Sequence, residues 1–425
     1  MNGHGPSAEK GPGRPEVSLV IPVYNVAAHL RQCLDSVAGQ AGCAFEALCV
    51  DDGSTDGSGA ILDEYAARDA RFRVLHQANG GTHVARKRAV LSAAGAWCLF
   101  LDPDDWLEPD ALARMAAATG AASDVDIVCL GFALHVCDGA KGAFGPRYER
   151  MFNPSPRKYG RDDLFASAFV ARTVSAHLIG KAVRTDVCRR AFGAMSDRRM
   201  VFQEDILAFY RIVAESSGAE GLSDRLYNYR VGPGISYRPF MTPDEFFGSF
   251  AKFEELSDLK RFRAGRFPDG SPAAAALGCL EVRLAVATLS EAMERLESPA
   301  DGRAGVDRLR AACPVEVLAA ACAEWHRLKG VQLADAARRF GLEDILGDVA
   351  LRQLDYVWRG HNDRLRALGE TLAAVRRELT AVRRELAAVR RELAAERDAR
   401  ARLEANVRHP VRALLRKIFK IGGKK

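Results

Sequence analysis

The chain has ten cysteines among 425 residues but no Cys-x-x-Cys pair, which excludes the common zinc-ribbon and thioredoxin-type arrangements. Several cysteines, Cys49, Cys98 and Cys129 among them, fall inside apolar segments. They are expected to be reduced, buried small hydrophobes of a cytosolic protein. No apolar run looks both long enough and free enough of charge to cross a bilayer. Residues 1–15 are Gly, Pro and polar side chains with no apolar core; a disordered N-terminus without a secretion signal is expected. Acids are absent from Val407 to Lys425, which carries seven Lys or Arg. Because the whole chain is only +6, the remainder is close to neutral, and a nucleic-acid partner, which wants a basic patch on the folded body, is not expected. A Gly-rich phosphate loop is missing after the first apolar segment, which disfavours a nucleotidyltransferase.

What the chain does have is an acidic cluster in a telling place. Phe100-Leu101-Asp102-Pro103-Asp104-Asp105-Trp106 puts three carboxylates directly after the apolar run from Ala96 to Leu101. A buried strand that ends in acids delivers them to a sheet edge, where open α/β folds bind ligands. Like charges this close repel unless a cation sits among them. Mg²⁺ suits such a site, since it takes one or two carboxylates together with phosphate oxygens.

Upstream, the stretch from Val17 to Asn25 reads as a buried strand, followed by an amphipathic helix with Leu30, Cys33, Leu34 and Val37 on one face. Phe45 to Val50 is a second strand, ending in Asp51-Asp52-Gly53-Ser54-Thr55-Asp56-Gly57-Ser58. Phe72 to His76 is a third, leading through Asn79-Gly80-Gly81 into a basic helix with Arg86, Lys87 and Arg88. Alternation of strand and helix predicts an α/β domain with a mostly parallel sheet, helices on both faces and all four polar strand ends at one edge.

These segments, in this order, resemble the signatures of the family 2 glycosyltransferases of GT-A fold. The likeness covers residues 16 to 240 and implies an inverting transferase that uses a nucleotide-sugar donor, usually a UDP-sugar, with Mg²⁺ or Mn²⁺. By position it implies that Pro22 and Tyr24 flank the base, that Asp52 accepts from the uracil imide, and that Asn79 and Arg86 lie near the nucleotide. Asp102 and Asp104 match the family's Asp-x-Asp, with Asp104 the first choice of metal ligand; Asp105 either replaces it or contacts the ribose. Lys87 and His83 depart from the family pattern. In Phe202-Gln203-Glu204-Asp205-Ile206 the likeness points to Asp205 as the base that deprotonates the acceptor, with Glu204 orienting it or touching the acceptor. Burial among Phe202, Ile206 and Phe209 is expected to raise the pKa of Asp205. His177 and Lys181 are weaker candidates on the acceptor side. Arg230 and Arg238 are weaker candidates for the diphosphate, on a strand and Gly/Pro loop expected to close over it.

The expected organisation is a nucleotide-sugar half at 16–125, an acceptor half at 126–240, and a helical subdomain at 241–360 in which no chemistry stands out. A coiled-coil stalk at 361–406 and a basic amphipathic tail at 407–425 complete it. In the stalk Leu372, Leu379, Leu386 and Leu393 take position a and Val375, Val382 and Val389 position d, with Arg at e and Glu at g. That charge pattern suits a parallel partner helix, hence self-association. In the tail Val411, Leu414, Leu415, Ile418 and Phe419 oppose a basic face, the pattern of an in-plane anchor on an anionic membrane. The sequence thus leads to a membrane-peripheral enzyme on the inner face of the cytoplasmic membrane, acting on a cell-surface glycan or lipid-linked acceptor. The alternative is an inactive transferase-like domain serving as a coiled-coil membrane scaffold.

Overall fold

The computed structural model describes residues 15–121, 124–136, 146–232, 240–296 and 298–329. The stalk, the tail, Arg238 and the first 14 residues lie outside this set. Strand β1 (Val17–Val23) is followed by α1 (Ala27–Ala38), β2 (Phe45–Asp51), α2 (Ser58–Arg68), β3 (Phe72–His76), α3 (Thr82–Ser92) and β4 (Trp97–Phe100). Then come β5 (Trp106–Leu107), α4 (Ala111–Ala121), β6 (Ile127–Val136), α5 (Pro146–Phe152), β7 (Lys158–Gly160) and α6 (Arg161–Phe165), which runs into a π-helical turn at Ala166–Val170. β8 (Lys181–Arg184), α7 (Thr185–Gly193), α8 (Glu204–Glu215) and β9 (Gly218–Val231) complete the sheet region. Among the described residues five helices follow: α9 (Pro243–Gly248), α10 (Ala251–Ala264), α11 (Pro272–Glu294), α12 (Pro299–Ala312) and α13 (Val315–Lys329).

β1 is buried along its whole length because helices cover both of its faces. Val17, Leu19, Ile21 and Val23 share one core with Leu30, Cys33, Leu34 and Val37 of α1, while α3 packs on β1 and β2. Alternate side chains of a strand point to opposite faces, so a strand covered on both sides must be apolar at every position. The sheet order is β3-β2-β1-β4-β8-β6-β9-β5, with β7 on β9. The first four strands are parallel, as expected. Beyond them the sheet is mixed rather than mostly parallel, because β8 enters antiparallel between β4 and β6, and β5 and β7 run antiparallel to β9.

Pro22 stands inside a central strand, where its missing N–H ought to break the ladder. Val20 accepts from Leu101 on the β4 side, and residues two apart on a strand point the same way. Pro22 therefore faces β4 just after β4 has left the ladder at Phe100, and no donor is missed. In open α/β sheets the ligand crevice lies outside such carboxyl ends.

The expectation of no membrane-length helix needs amending. α11 is long and apolar enough over Pro272–Ala292 to cross a membrane by length and composition, but 56% of that window is buried inside the protein. It packs against the π-helical turn, α12 and α13, the behaviour of a core helix.

Candidate active site

The polar ends of β1 to β4 meet at one edge, and β9 and α8 close on it. At its centre is Arg86 on α3, only 4% exposed. One arm of its guanidinium donates to Asp102 Oδ1 at 2.8 Å and the other to Glu204 Oε1 at 3.0 Å. Burial opposes its charge, but Asp102, Glu204 and Asp205 outweigh that and hold its pKa above the ordinary arginine value. Two acidic clusters a hundred residues apart in sequence are thus joined by a fixed positive charge.

The first cluster is the loop after β4. Carboxylate oxygens of Asp102, Asp104 and Asp105 lie within 4.8 Å of one another. Asp105 is buried at 1% exposure. Its Oδ2 accepts from the Tyr227 hydroxyl at 2.7 Å and its Oδ1 from the Arg230 backbone N–H at 2.7 Å, while the same hydroxyl accepts from the Asp102 N–H at 3.1 Å. Asp105 is therefore an anchor that ties the acidic loop to β9. Asp104 receives no side-chain hydrogen bond from the described residues. Burial and the neighbouring Asp102 push its pKa up to about 6. Neighbouring carboxylate oxygens are the hard donors a divalent cation fits, so Asp104 and Asp102, whose oxygens lie within 4.8 Å of each other, are the residues that would hold one. Arg230 lies over the Trp106 ring at 4.9 Å and donates to the Asp104 carbonyl at 2.9 Å.

The second cluster opens α8. Phe202 (φ 67°) and Gln203 (φ 64°) are consecutive non-glycine residues in the left-handed region, which costs about 1–3 kcal/mol each and gathers at functional sites. This corner turns the chain so that Glu204 and Asp205 begin the helix. The Arg295 guanidinium, at the end of α11, covers the Phe202 ring at 5.2 Å. Asp205 Oδ2 is 2.8 Å from His177 Nδ1. Burial opposes the Asp205 charge, yet His177, followed by Arg86 and Arg283, holds its pKa down to about 2. Glu204 behaves in the opposite sense: burial and the adjacent Asp205 prevail over Arg86 and push it up to about 7. The upward shift expected of Asp205 thus falls on its neighbour, because His177 claims Asp205.

The donor side is only partly as expected. Tyr24 is 43% exposed at the edge of the crevice, while Pro22 is buried. Asp52 is 2% exposed and accepts from Gln77 Nε2 at 2.7 Å and from the N–H groups of Gly80 and Gly81, both at 2.8 Å. In this structure it pins the Gly-rich turn before α3 instead of offering an open edge to a base. Asn79 Oδ1 accepts from Arg199 Nε at 3.1 Å. Lys181, on β8, is buried, donates to the His177 carbonyl, and has its pKa lowered by burial. Lys87 reaches the Met195 carbonyl at 2.7 Å, and His83 stacks on Phe192.

Residues 18–176 match the family model described as "Glycosyl transferase family 2". The chain carries a domain of that family. Its relatives include "Putative glycosyltransferase EpsH" of Bacillus subtilis, 39% identical over 51% of this chain and 61% of EpsH. "Uncharacterized glycosyltransferase EpsJ" of the same organism is 31% identical over 53% of this chain and 65% of EpsJ. The chain thus spans under two thirds of the length of both. Among solved structures, S. aureus TarS 1–349 superposes with a TM-score of 0.54 at 18% identity, over 81% of this chain and 92% of TarS 1–349, a likeness of fold. Missed by sequence reasoning were Tyr227, whose partners lie more than 120 residues away, and Arg283, placed near Asp205 by a helix in which no chemistry stood out.

Proposed function

We propose that this family 2 domain is an inverting, metal-dependent glycosyltransferase that moves a hexosyl or N-acetylhexosaminyl group from a UDP-sugar to a hydroxyl of a cell-surface glycan or lipid-linked acceptor. One observation carries the proposal: Arg86 bonds Asp102 of the acidic loop and Glu204 of the α8 corner at once. That link supports a reading in which the groups suited to the departing diphosphate and those suited to the acceptor proton act together. Asp104 and Asp102 would hold Mg²⁺ or Mn²⁺, which would supply charge neutralisation at the diphosphate. Tyr24 offers an exposed stacking face to the nucleobase. Arg86 keeps Asp102 and Glu204 in register, and the Glu204–Asp205–His177 group forms the proton-accepting pole. Inversion follows when the acceptor oxygen attacks the anomeric carbon opposite the leaving diphosphate. The stalk at 361–406 gathers copies, and the tail at 407–425 holds them on an anionic inner-leaflet surface where lipid-linked acceptors reside.

The test is a panel of nucleotide sugars with Mn²⁺ or Mg²⁺, scored by release of nucleoside diphosphate. UDP-GlcNAc comes first, since TarS 1–349 is solved in complex with it. Asp104→Asn is expected to abolish metal-dependent donor binding, and Asp205→Asn to spare binding and stop transfer. Full activity in either variant overturns the assignment.

A further inference from the structure

We propose that the atom taking the proton from the acceptor hydroxyl is Nε2 of His177, with the Asp205 carboxylate as its orienting partner. This rests on the transferase reading above and changes which group is the base.

The imidazole is fixed in every respect but one. Its backbone N–H donates to Ser175 Oγ at 3.2 Å, and its carbonyl accepts from Lys181 Nζ. Its ring lies flat on Phe152, with centroids 5.8 Å apart and planes 10° apart, and Phe152 stacks in turn on Tyr229. Nδ1 meets Asp205 Oδ2 at 2.8 Å. Nε2 is the ring nitrogen with no hydrogen-bond partner among the described residues. The His177 side chain is 31% exposed against 16% for Asp205, whose Oδ1 also accepts from the Ile206 N–H at 2.9 Å. The carboxylate is thus turned inward and occupied, while the imidazole reaches the surface.

An ionised carboxylate on Nδ1 fixes the ring proton there and leaves a bare lone pair on Nε2. This division of labour is that of the serine hydrolase triad, in which the acid orients the imidazole and stabilises the imidazolium. The charged groups around the pair agree with it. On α8, Asp205 touches the ring and Glu204 is turned to Arg86 of α3. On β8, Lys181 lies behind the His177 carbonyl; on α11, Arg283 acts on Asp205. From α5 the neutral Phe152 lies against the ring. Both Asp205 oxygens are engaged, whereas an imidazole with an unpartnered ring nitrogen is a chemically suitable proton acceptor.

The step balances. The acceptor O–H bond breaks and its proton passes to Nε2, and the oxygen forms the bond to the anomeric carbon. The bond from that carbon to the diphosphate oxygen breaks, its electron pair leaving with the nucleoside diphosphate. The imidazolium beside Asp205 then gives its proton to solvent through its exposed edge.

Full-length wild type, His177→Gln, His177→Gly and Asp205→Asn are compared for UDP release from UDP-GlcNAc with Mn²⁺ and for UDP-GlcNAc affinity. His177→Gln is expected to lower kcat about 10²- to 10⁴-fold and leave donor affinity within about twofold. Added imidazole is expected to restore turnover to His177→Gly and not to Asp205→Asn. A His177→Gln enzyme within about fivefold of wild-type kcat makes Asp205 the base and overturns the proposal, while the transferase reading stands. Release of UDP by no variant, wild type included, counts against the transferase reading with this donor, and a second measurement then decides the dyad. Nitrogen-15 histidine NMR, with His177 assigned from the His177→Gln spectrum, is expected to show the neutral ring protonated on Nδ1. A proton on Nε2 overturns the proposal whatever the activity.

Discussion

Replacing Glu204 by Gln tests the electrostatics of the α8 corner without reference to any substrate. Glu204 is buried, with a side chain 12% exposed, and its pKa rises from 4.5 to about 7 because burial and Asp205 outweigh Arg86. A folded-state pKa above the unfolded one means that folding favours the protonated form. The stability this contributes is present at low pH and lost as pH climbs from about 4.5 to about 7. Between pH 5 and pH 8 roughly two pH units of that interval are crossed, at about 1.4 kcal/mol each, so Glu204 should remove on the order of 2–3 kcal/mol. Glutamine keeps an oxygen for Arg86 but cannot ionise. Urea unfolding of both proteins should therefore show Glu204→Gln gaining on wild type by about that amount at pH 8 relative to pH 5. Asp205, held down to about 2, contributes in the opposite sense, and its stabilisation is lost only as pH falls from about 4 towards 2, outside this window. A wild-type-to-variant difference that is the same at both pH values to within about 0.5 kcal/mol would refute the assignment of the raised pKa to Glu204.

Tyr227→Phe removes the donor to Asp105 and the acceptor for the Asp102 N–H. Leaving those buried groups unpaired should cost about 2–3 kcal/mol, read by urea unfolding, and weaken Mn²⁺ binding in calorimetry; unchanged values would show that the anchor is dispensable. Gly81 has φ +89°, and a Cβ there would sit 3.1 Å from Arg199 Cγ, so Gly81→Ala should lose about 1–2 kcal/mol and loosen the turn held by Asp52. A melting temperature equal to wild type would argue against a strained turn. Deleting 361–425 should lower the oligomer mass in light scattering and reduce binding to anionic vesicles. An unchanged oligomer would remove the stalk from the account, and unchanged vesicle binding the anchor.

Local pattern was enough for the first half of the fold. The apolar runs at β1 to β4, each ending in acids or turn formers, set a parallel sheet and one ligand edge, because hydrophobic periodicity and chain-end chemistry are properties of neighbours in sequence. The same locality brought Asp102 and Asp104 into view as one cluster. Which carboxylate does what was not local. Asp105 stood as a substitute for Asp104 or a ribose contact, and nothing nearby in sequence marked its bond to Tyr227, 122 residues away. Asp52 looked open until the turn at Gly80 and Gly81 closed on it. Asp205 looked like a carboxyl raised by burial until His177, from the segment ahead of β8, paired with it. Burial and partnership are set by residues distant in sequence, and a pKa follows the partner as much as the burial. The amino-acid order therefore determined the resemblance, the sheet edge and the acidic inventory, whereas only the folded chain decided which acids brace their neighbours and which are pushed towards giving up their charge.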